Sequence, residues 1–86
     1  MPEFFEIRIT RRAKKDIAAL APKLRKKLRE ILTEVIGQNP HTGKKLLGDL
    51  AGSYSYRLTY QDRIIYSIDQ SARIVYIERA RTHCGD

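Results

Sequence analysis

Residues 54–69 read YSYRLTYQDRIIYSID, and their alternation of apolar and polar side chains is the feature that decides the fold. A period of two residues is typical of a strand that buries one face. The alternation holds in the first part of this stretch and again over 63–69, with a plausible turn at Gln61-Asp62. Residues 73–81 favour a third strand. We therefore predict three consecutive antiparallel strands.

The preceding half of the chain predicts one strand and two helices. Residues 4–10 alternate as a strand, and Thr10 is a suitable N-cap for a short amphipathic helix over about 11–20. Pro22 suits the first turn of a second helix. Apolar residues then recur with the helical period at Leu24, Leu28, Ile31, Leu32, Val35 and Ile36. Residues 38–53 are rich in loop formers.

These patterns predict a single α+β domain over residues 1–86 with the element order β-α-α-β-β-β. We expect an antiparallel sheet in which the first strand adds at an edge, and a helical hairpin packed on one face. The other face is left open, and arginines of the strands can gather there. A chain of this length has room for one modest core.

The amino-acid composition limits the kinds of partner that the protein can bind. The chain carries 17 Lys and Arg against 10 Asp and Glu, a net charge of +7 that attracts nucleic acid, an anionic membrane face or an acidic protein. It has no apolar run of the ~20 residues that a membrane span needs, and no signal peptide is visible. With one cysteine and two histidines, neither a disulfide nor a zinc site is expected. We expect a cytoplasmic protein without metal or cofactor and without a membrane partner.

Fifteen of the 17 basic residues fall into two groups. The first lies between Arg8 and Arg29, where ten cations accompany Asp16. It fits a solvated helix face, non-specific phosphate contact or docking onto an acidic partner, and the sequence does not choose among them. The second group contains arginine alone, at Arg57, Arg63, Arg73, Arg79 and Arg81. Arginine's planar fork can hold a phosphate through two hydrogen bonds.

The end of the last strand is a candidate anion site. Arg79, Arg81 and His83 share one face if the strand persists, since alternate residues point the same way. Val75 and Ile77 have the same parity, so a bulge or twist must intervene if the apolar residues are to face the core. Scattered surface arginines are the alternative interpretation. A histidine beside arginines can act as a proton donor once a phosphate is bound.

The segments KKLLGDLAGSYSYRLTYQDRIIYSID and IVYIERARTHCGD together resemble the RelE/ParE toxin superfamily of bacterial toxin–antitoxin systems. The resemblance extends to ITRRAKKDIAAL near the start, and the tail is most similar to the RelE and YoeB-like branch. It implies a small α/β toxin that cleaves mRNA without metal, commonly on the ribosome. In that reaction the ribose 2′-hydroxyl attacks the adjacent phosphate and leaves a 2′,3′-cyclic phosphate. The resemblance also implies a cognate antitoxin, with which the toxin forms a hetero-oligomer.

The resemblance carries site residues over by position. It implies catalytic roles for the residues that match the reaction centre of the branch, Arg57, Arg63, Arg81 and His83. Among these, Arg63 matches a phosphate clamp, and His83 matches a proposed general acid for the leaving 5′-oxygen. It implies substrate binding for Lys44, Lys45 and Arg79.

Two positions depart from the pattern of the branch. Lys44 and Lys45 lie where YoeB-like proteins carry a glutamate base. Either the base is supplied otherwise, or a lysine favours the 2′-oxyanion electrostatically. Cys84 stands where an aromatic residue often follows the histidine. Activity here is then expected to be weaker or differently organised.

Two other functions share this fold, since a fold does not determine a function. One is a ParE-like toxin that binds DNA gyrase without phosphodiester chemistry of its own. The other is a non-catalytic basic module that binds RNA or the ribosome. His83, placed after two strand arginines, favours the nuclease.

Overall fold

A computed structural model describes residues 4–46 and 52–82, with the backbone alone for residues 81 and 82. Within these described residues, two helices and five strands follow one another. They are β1 (Glu6–Ile9), α1 (Arg11–Ala18), α2 (Pro22–Ile31), β2 (Lys44–Lys45), β3 (Ser53–Arg57), β4 (Asp62–Asp69) and β5 (Ile74–Thr82). A π-helical turn over Leu32–Ile36 prolongs α2, and a 3₁₀ turn over Pro40–Thr42 precedes β2. The expected α+β fold is thus confirmed.

The five strands form one sheet in the order β1-β5-β4-β3-β2. Strands β3, β4 and β5 are the expected antiparallel meander, and β2 pairs antiparallel to β3. The first strand does add at an edge, but β1 runs parallel to β5, so the sheet is mixed. An amphipathic pattern specifies which residues of an edge strand face the core and leaves the direction of the strand open.

Local sequence explains where the helices begin. The Thr10 hydroxyl accepts a hydrogen bond from the Ala13 N–H at 3.2 Å, which satisfies one free donor of the first turn of α1. The same hydroxyl donates to the Ile77 carbonyl at 2.9 Å and so ties the start of the helix to β5. Pro22 lies at the first helical position of α2, where its missing N–H costs nothing. None of the helices in the described ranges has the length and apolar character needed to span a bilayer.

The core lies between the helices and one face of the sheet. Its fully buried side chains come from α2 with its π-helical turn, from β4 and β5, and from the residue that follows β3. They include Leu28, Ile36, Leu58, Ile64, Tyr66, Val75 and Ile77. Ala13 of α1 is also completely buried. Arg57 and Arg63 alternate with buried neighbours and lie on the opposite face of the sheet.

A β-bulge in β5 resolves the conflict of parity seen in the sequence. Tyr66 of β4 is opposite Ile77, whereas the preceding residue Ile65 is opposite Arg79, so Glu78 is an extra residue. Beyond the bulge Ala80, rather than an odd-numbered residue, takes the buried position. One inserted residue therefore turns the arginines away from the core while Val75 and Ile77 stay in it.

Candidate functional site

Three arginine positions form one row across the sheet. Arg57 of β3 is directly opposite Arg63 of β4, and Arg63 is directly opposite Arg81 of β5. Directly opposed residues of neighbouring antiparallel strands have Cβ atoms about 4.5–5.5 Å apart. We call these three positions the arginine row. It lies on the face of the sheet turned away from the helices.

The row is unfavourable for stability in the absence of an anion. Like charges on directly opposed residues destabilise a strand pair. Within the described part of the chain neither Arg57 nor Arg63 forms an ion pair, whereas Arg8 pairs with Glu6. Arg57 is exposed and Arg63 is half-buried. Two accessible guanidinium groups held side by side are suited to bind one phosphate.

A second row runs beside the first on the same face. Lys44 is opposite Ser55, which is opposite Ile65, which is in turn opposite Arg79. Because Ser55 precedes Arg57 by two residues, Lys44 is the cation on β2 nearest to the arginine row. Lys44 is exposed. The structure thus brings Lys44 and Arg79 next to the row, and their roles in substrate binding stay predictions.

Arg79 differs from its neighbours because it already has a partner. Its Nε donates to Asp16 Oδ2 of α1 at 2.8 Å, and its second nitrogen donates to Oδ1 at 3.3 Å. Asp16 Oδ2 also accepts the N–H of Ala80 at 3.1 Å. The hydrogen bond to Asp16 raises the pKa of Arg79 above its ordinary value. Helix α1 therefore fixes the backbone of β5 at the residue before Arg81, and a substrate-binding role for Arg79 stays a prediction.

Lys45 lies away from these rows. It is opposite Tyr54, whose ring is on the helix-covered face and stacks on Tyr66 at 5.6 Å. Lys45 lines a separate cavity of about 490 Å³ together with His41 and Tyr54. The proposed contact between Lys45 and substrate stays a prediction.

His83 and Cys84 lie outside the described residues, so the role of His83 as an acid stays a prediction. The expectation that the protein binds no metal also stays a prediction. Within residues 4–46 and 52–82 no three histidine, cysteine, aspartate or glutamate side chains come close enough together to hold a metal ion.

A groove that sequence reasoning missed borders the arginine row. It has a volume of about 520 Å³ and runs along the outer edge of β3, past the point where the short strand β2 ends. Its cations are Lys27 of α2, Lys44 and Arg57, and none of its described lining residues is acidic. Tyr60 also lines the groove and is 88% exposed. The sequence signal was weak, because Lys27 is one of many lysines and Tyr60 lies in a predicted strand-turn region.

The family model described as "ParE-like toxin of type II bacterial toxin-antitoxin system" matches residues 7–84. The chain therefore belongs to the ParE-like toxin family of type II toxin–antitoxin systems.

Solved structures of such systems are similar to this chain. A chain of the RelBE2 toxin–antitoxin complex from Mycobacterium tuberculosis is 29% identical, with a TM-score of 0.84 over 92% of this chain and 98% of the other. A chain of the YoeB-YefM complex from Staphylococcus aureus is 25% identical, with a TM-score of 0.76 over 92% and 97%. The YoeB/ParE toxin from Agrobacterium tumefaciens, at 21% identity, a TM-score of 0.80 and coverage of 91% and 98%, shares the fold. No curated protein sequence matches the chain.

Proposed function

We propose that this toxin is a metal-independent endoribonuclease that cleaves mRNA, in association with the ribosome, and so inhibits translation. The observation that carries the proposal is the arginine row, in which Arg57, Arg63 and Arg81 occupy directly opposed positions on three neighbouring strands. Such a row suits a reaction in which negative charge builds up on one phosphate group.

In the proposed reaction the ribose 2′-oxygen attacks the adjacent phosphorus, and the bond from phosphorus to the 5′-oxygen breaks. The products are a 2′,3′-cyclic phosphate and a 5′-hydroxyl end. Arg57, Arg63 and Arg81 stabilise the charge on the non-bridging oxygens, and loss of one such donor typically slows a reaction by about 10²–10³-fold. His83 donates the proton to the leaving 5′-oxygen.

Activation of the 2′-hydroxyl is assigned to electrostatics rather than to a carboxylate base. Lys44 lies in the row adjacent to Arg57 and is exposed, which supports the proposal that its ammonium group favours the 2′-oxyanion while the proton passes to solvent. This assignment suits a chain that has lysines where YoeB-like proteins carry a glutamate.

The protein partner in this proposal is a cognate antitoxin, which forms a hetero-oligomer with the toxin in the cytoplasm. Two of the similar solved structures are toxin–antitoxin complexes, which supports such a partner. A pull-down from the native host is expected to recover a small protein encoded beside the toxin gene. Recovery of the toxin alone contradicts this part of the proposal.

Inhibition of DNA gyrase is the second candidate function, since the matching family is named for ParE. The two functions differ in which nucleic acid is affected first, mRNA or DNA. Under the nuclease proposal, RNA ends accumulate within translated codons. Under the gyrase alternative, mRNA stays intact while DNA breaks or changes in supercoiling appear. A basic module without catalysis produces neither.

The test is to express the toxin in translating cells and to map RNA 5′ ends. We expect cuts within coding sequence, and we expect Arg57→Ala, Arg63→Ala, Arg81→Ala and His83→Ala to lower the rate of cutting by about 10²–10³-fold each. The matched control is Arg8→Ala on β1, at the far edge of the sheet, which should cut as the wild type does. Growth arrest by the four variants at wild-type strength and equal expression refutes the proposed site.

A further inference from the structure

We infer that the groove beside the arginine row binds a nucleotide of single-stranded RNA that flanks the cleaved phosphate, with its base stacked on Tyr60. This inference rests on the proposed nuclease function, because it extends the same RNA chain beyond the arginine row. The groove shares Arg57 with that row, so one strand of RNA can pass from one to the other without leaving the basic surface.

Tyr60 is unusual among the aromatic residues of this chain. Among the described residues, Tyr60 at 88% and Phe4 at 57% are the large hydrophobic side chains that remain exposed, and Phe4 lies beside β1 at the other edge of the sheet. An exposed ring beside cations is the arrangement that single-strand binding proteins use, since every base offers a face on which to stack.

The turn that presents Tyr60 is held by several hydrogen bonds. The Thr59 hydroxyl donates to Asp62 Oδ2 at 2.8 Å and accepts the backbone N–H groups of Gln61 at 3.2 Å and Asp62 at 3.0 Å. The Asp62 carbonyl accepts the N–H groups of Leu58 and Thr59 at 2.9 and 3.1 Å. Asp62 itself is buried, with 7% of its surface exposed. A platform that is already ordered loses little entropy when a base stacks on it.

The charges of the groove are suited to a phosphate backbone. Lys27, Lys44 and Arg57 approach it from a helix, an edge strand and a central strand, and none of the described lining residues is acidic. A groove of about 520 Å³ falls within the ~300–1,000 Å³ range of small-molecule sites, which is adequate for one nucleotide. Single-stranded RNA is favoured over an acidic peptide, since the tyrosine offers a stacking surface and the groove continues into a row of phosphate-binding arginines.

The test measures binding separately from cleavage. The probe is a single-stranded RNA of about ten nucleotides of mixed sequence that is 2′-O-methylated throughout, so it lacks the attacking hydroxyl. The full-length toxin and its variants are titrated with this RNA at several salt concentrations. Circular dichroism and thermal melting confirm that each variant is folded.

We expect Tyr60→Ala to weaken binding about 5- to 150-fold, the range for loss of one stacked base, and Tyr60→Phe to bind within about twofold of the wild type. The matched control is Phe4→Ala, which should bind as the wild type does. Lys27→Ala should reduce the slope of log affinity against log salt by about 0.7, as expected for one lost phosphate contact with a single strand. Lys26→Ala, on the same helix outside the groove, should reduce it less.

Unchanged binding by Tyr60→Ala, or an equal loss in Phe4→Ala, overturns the inference, and so does a wild-type protein that fails to bind the probe at low salt. If Tyr60→Ala instead loses affinity for the antitoxin and keeps its affinity for RNA, the groove is an antitoxin site and the inference is wrong. The proposed function fails separately, if RNA binding depends on Tyr60 yet mRNA is never cut.

Discussion

Substitution of Tyr66 by phenylalanine tests how the core holds the edge of the candidate site. Tyr66 is completely buried, and its hydroxyl donates to the carbonyl of Pro40 at 2.6 Å. Pro40 begins the 3₁₀ turn that leads into Lys44 and one side of the groove. A single hydroxyl therefore links the centre of the sheet to the segment that carries a proposed substrate-binding lysine.

The expected loss follows from what the change leaves behind. Phenylalanine keeps the ring and its stacking on Tyr54, so no cavity larger than one oxygen is formed. The Pro40 carbonyl remains in a residue that is itself buried and loses its partner, which costs about 1–3 kcal/mol. For a domain of this size each kcal/mol lowers Tm by about 4–8 °C. Chemical denaturation and thermal melting both measure this effect.

The pH dependence gives a second, independent readout. Burial raises the pKa of Tyr66 from its ordinary value of 10.0 to about 12, against a smaller opposing effect of a backbone hydrogen bond from Gly43. Because the folded state holds the proton more tightly, the contribution of this hydroxyl is complete below pH 10 and is lost as the pH rises towards 12. Tyr66→Phe has no such group to lose. The gap in stability between wild type and variant should therefore narrow over this interval.

The matched control is Tyr54→Phe, because the Tyr54 ring belongs to the same stack and its hydroxyl makes no hydrogen bond among the described residues. We expect it to change the free energy of unfolding much less than Tyr66→Phe does. Equal losses from the two variants, or a gap that stays constant from pH 10 to 12, would show that the Tyr66–Pro40 hydrogen bond does not stabilise the fold.

Two further substitutions test the packing around the site. Gly43→Ala should destabilise the fold by about 1–3 kcal/mol, since its new methyl group would overlap the buried Tyr66 hydroxyl. The loss of stability should be smaller when Tyr66 is already replaced by phenylalanine. Denaturation of both single variants and of the double variant measures this coupling. Asp16→Asn removes the charge that holds Arg79 and should lower Tm by more than Glu6→Gln, which breaks an exposed pair of little worth. Equal melting temperatures for Asp16→Asn and Glu6→Gln would contradict the conclusion that Asp16 fixes Arg79 and the backbone of β5.

The sequence was sufficient to predict the meander and the helices, because these depend on local periodicity. The register of β3 against β4 could not be predicted from the sequence. A two-residue turn at Gln61-Asp62 would have placed Tyr60 opposite Arg63 and Arg57 opposite Tyr66. The observed turn covers residues 58–61 instead, and Arg57 is opposite Arg63. The signal was present in the Thr59 and Asp62 side chains, which bond to nearby backbone as turn residues do.

The periodicity of the sequence did not predict the short strand β2 or the π-helical turn, for other reasons. Strand β2 consists of Lys44 and Lys45, too short and too polar to show alternation, so it becomes visible only through its pairing with β3. The turn over Leu32–Ile36 continues the apolar stripe of α2 with a wider π-helical geometry, which the spacing alone does not distinguish from an α-helix.

The bulge at Glu78 links the packing of the core to the placement of the arginines. Strict alternation along β5 would force a choice, since Val75 and Ile77 have the same parity as Arg79 and Arg81. One extra residue lets the first pair enter the core and leaves Ala80 as the next buried side chain. The register beyond the bulge is then the one that sets Arg81 opposite Arg63. A local irregularity that leaves one residue unpaired is thus what allows a stable core and a row of like charges to share one strand, as expected where a site is favoured over regular pairing.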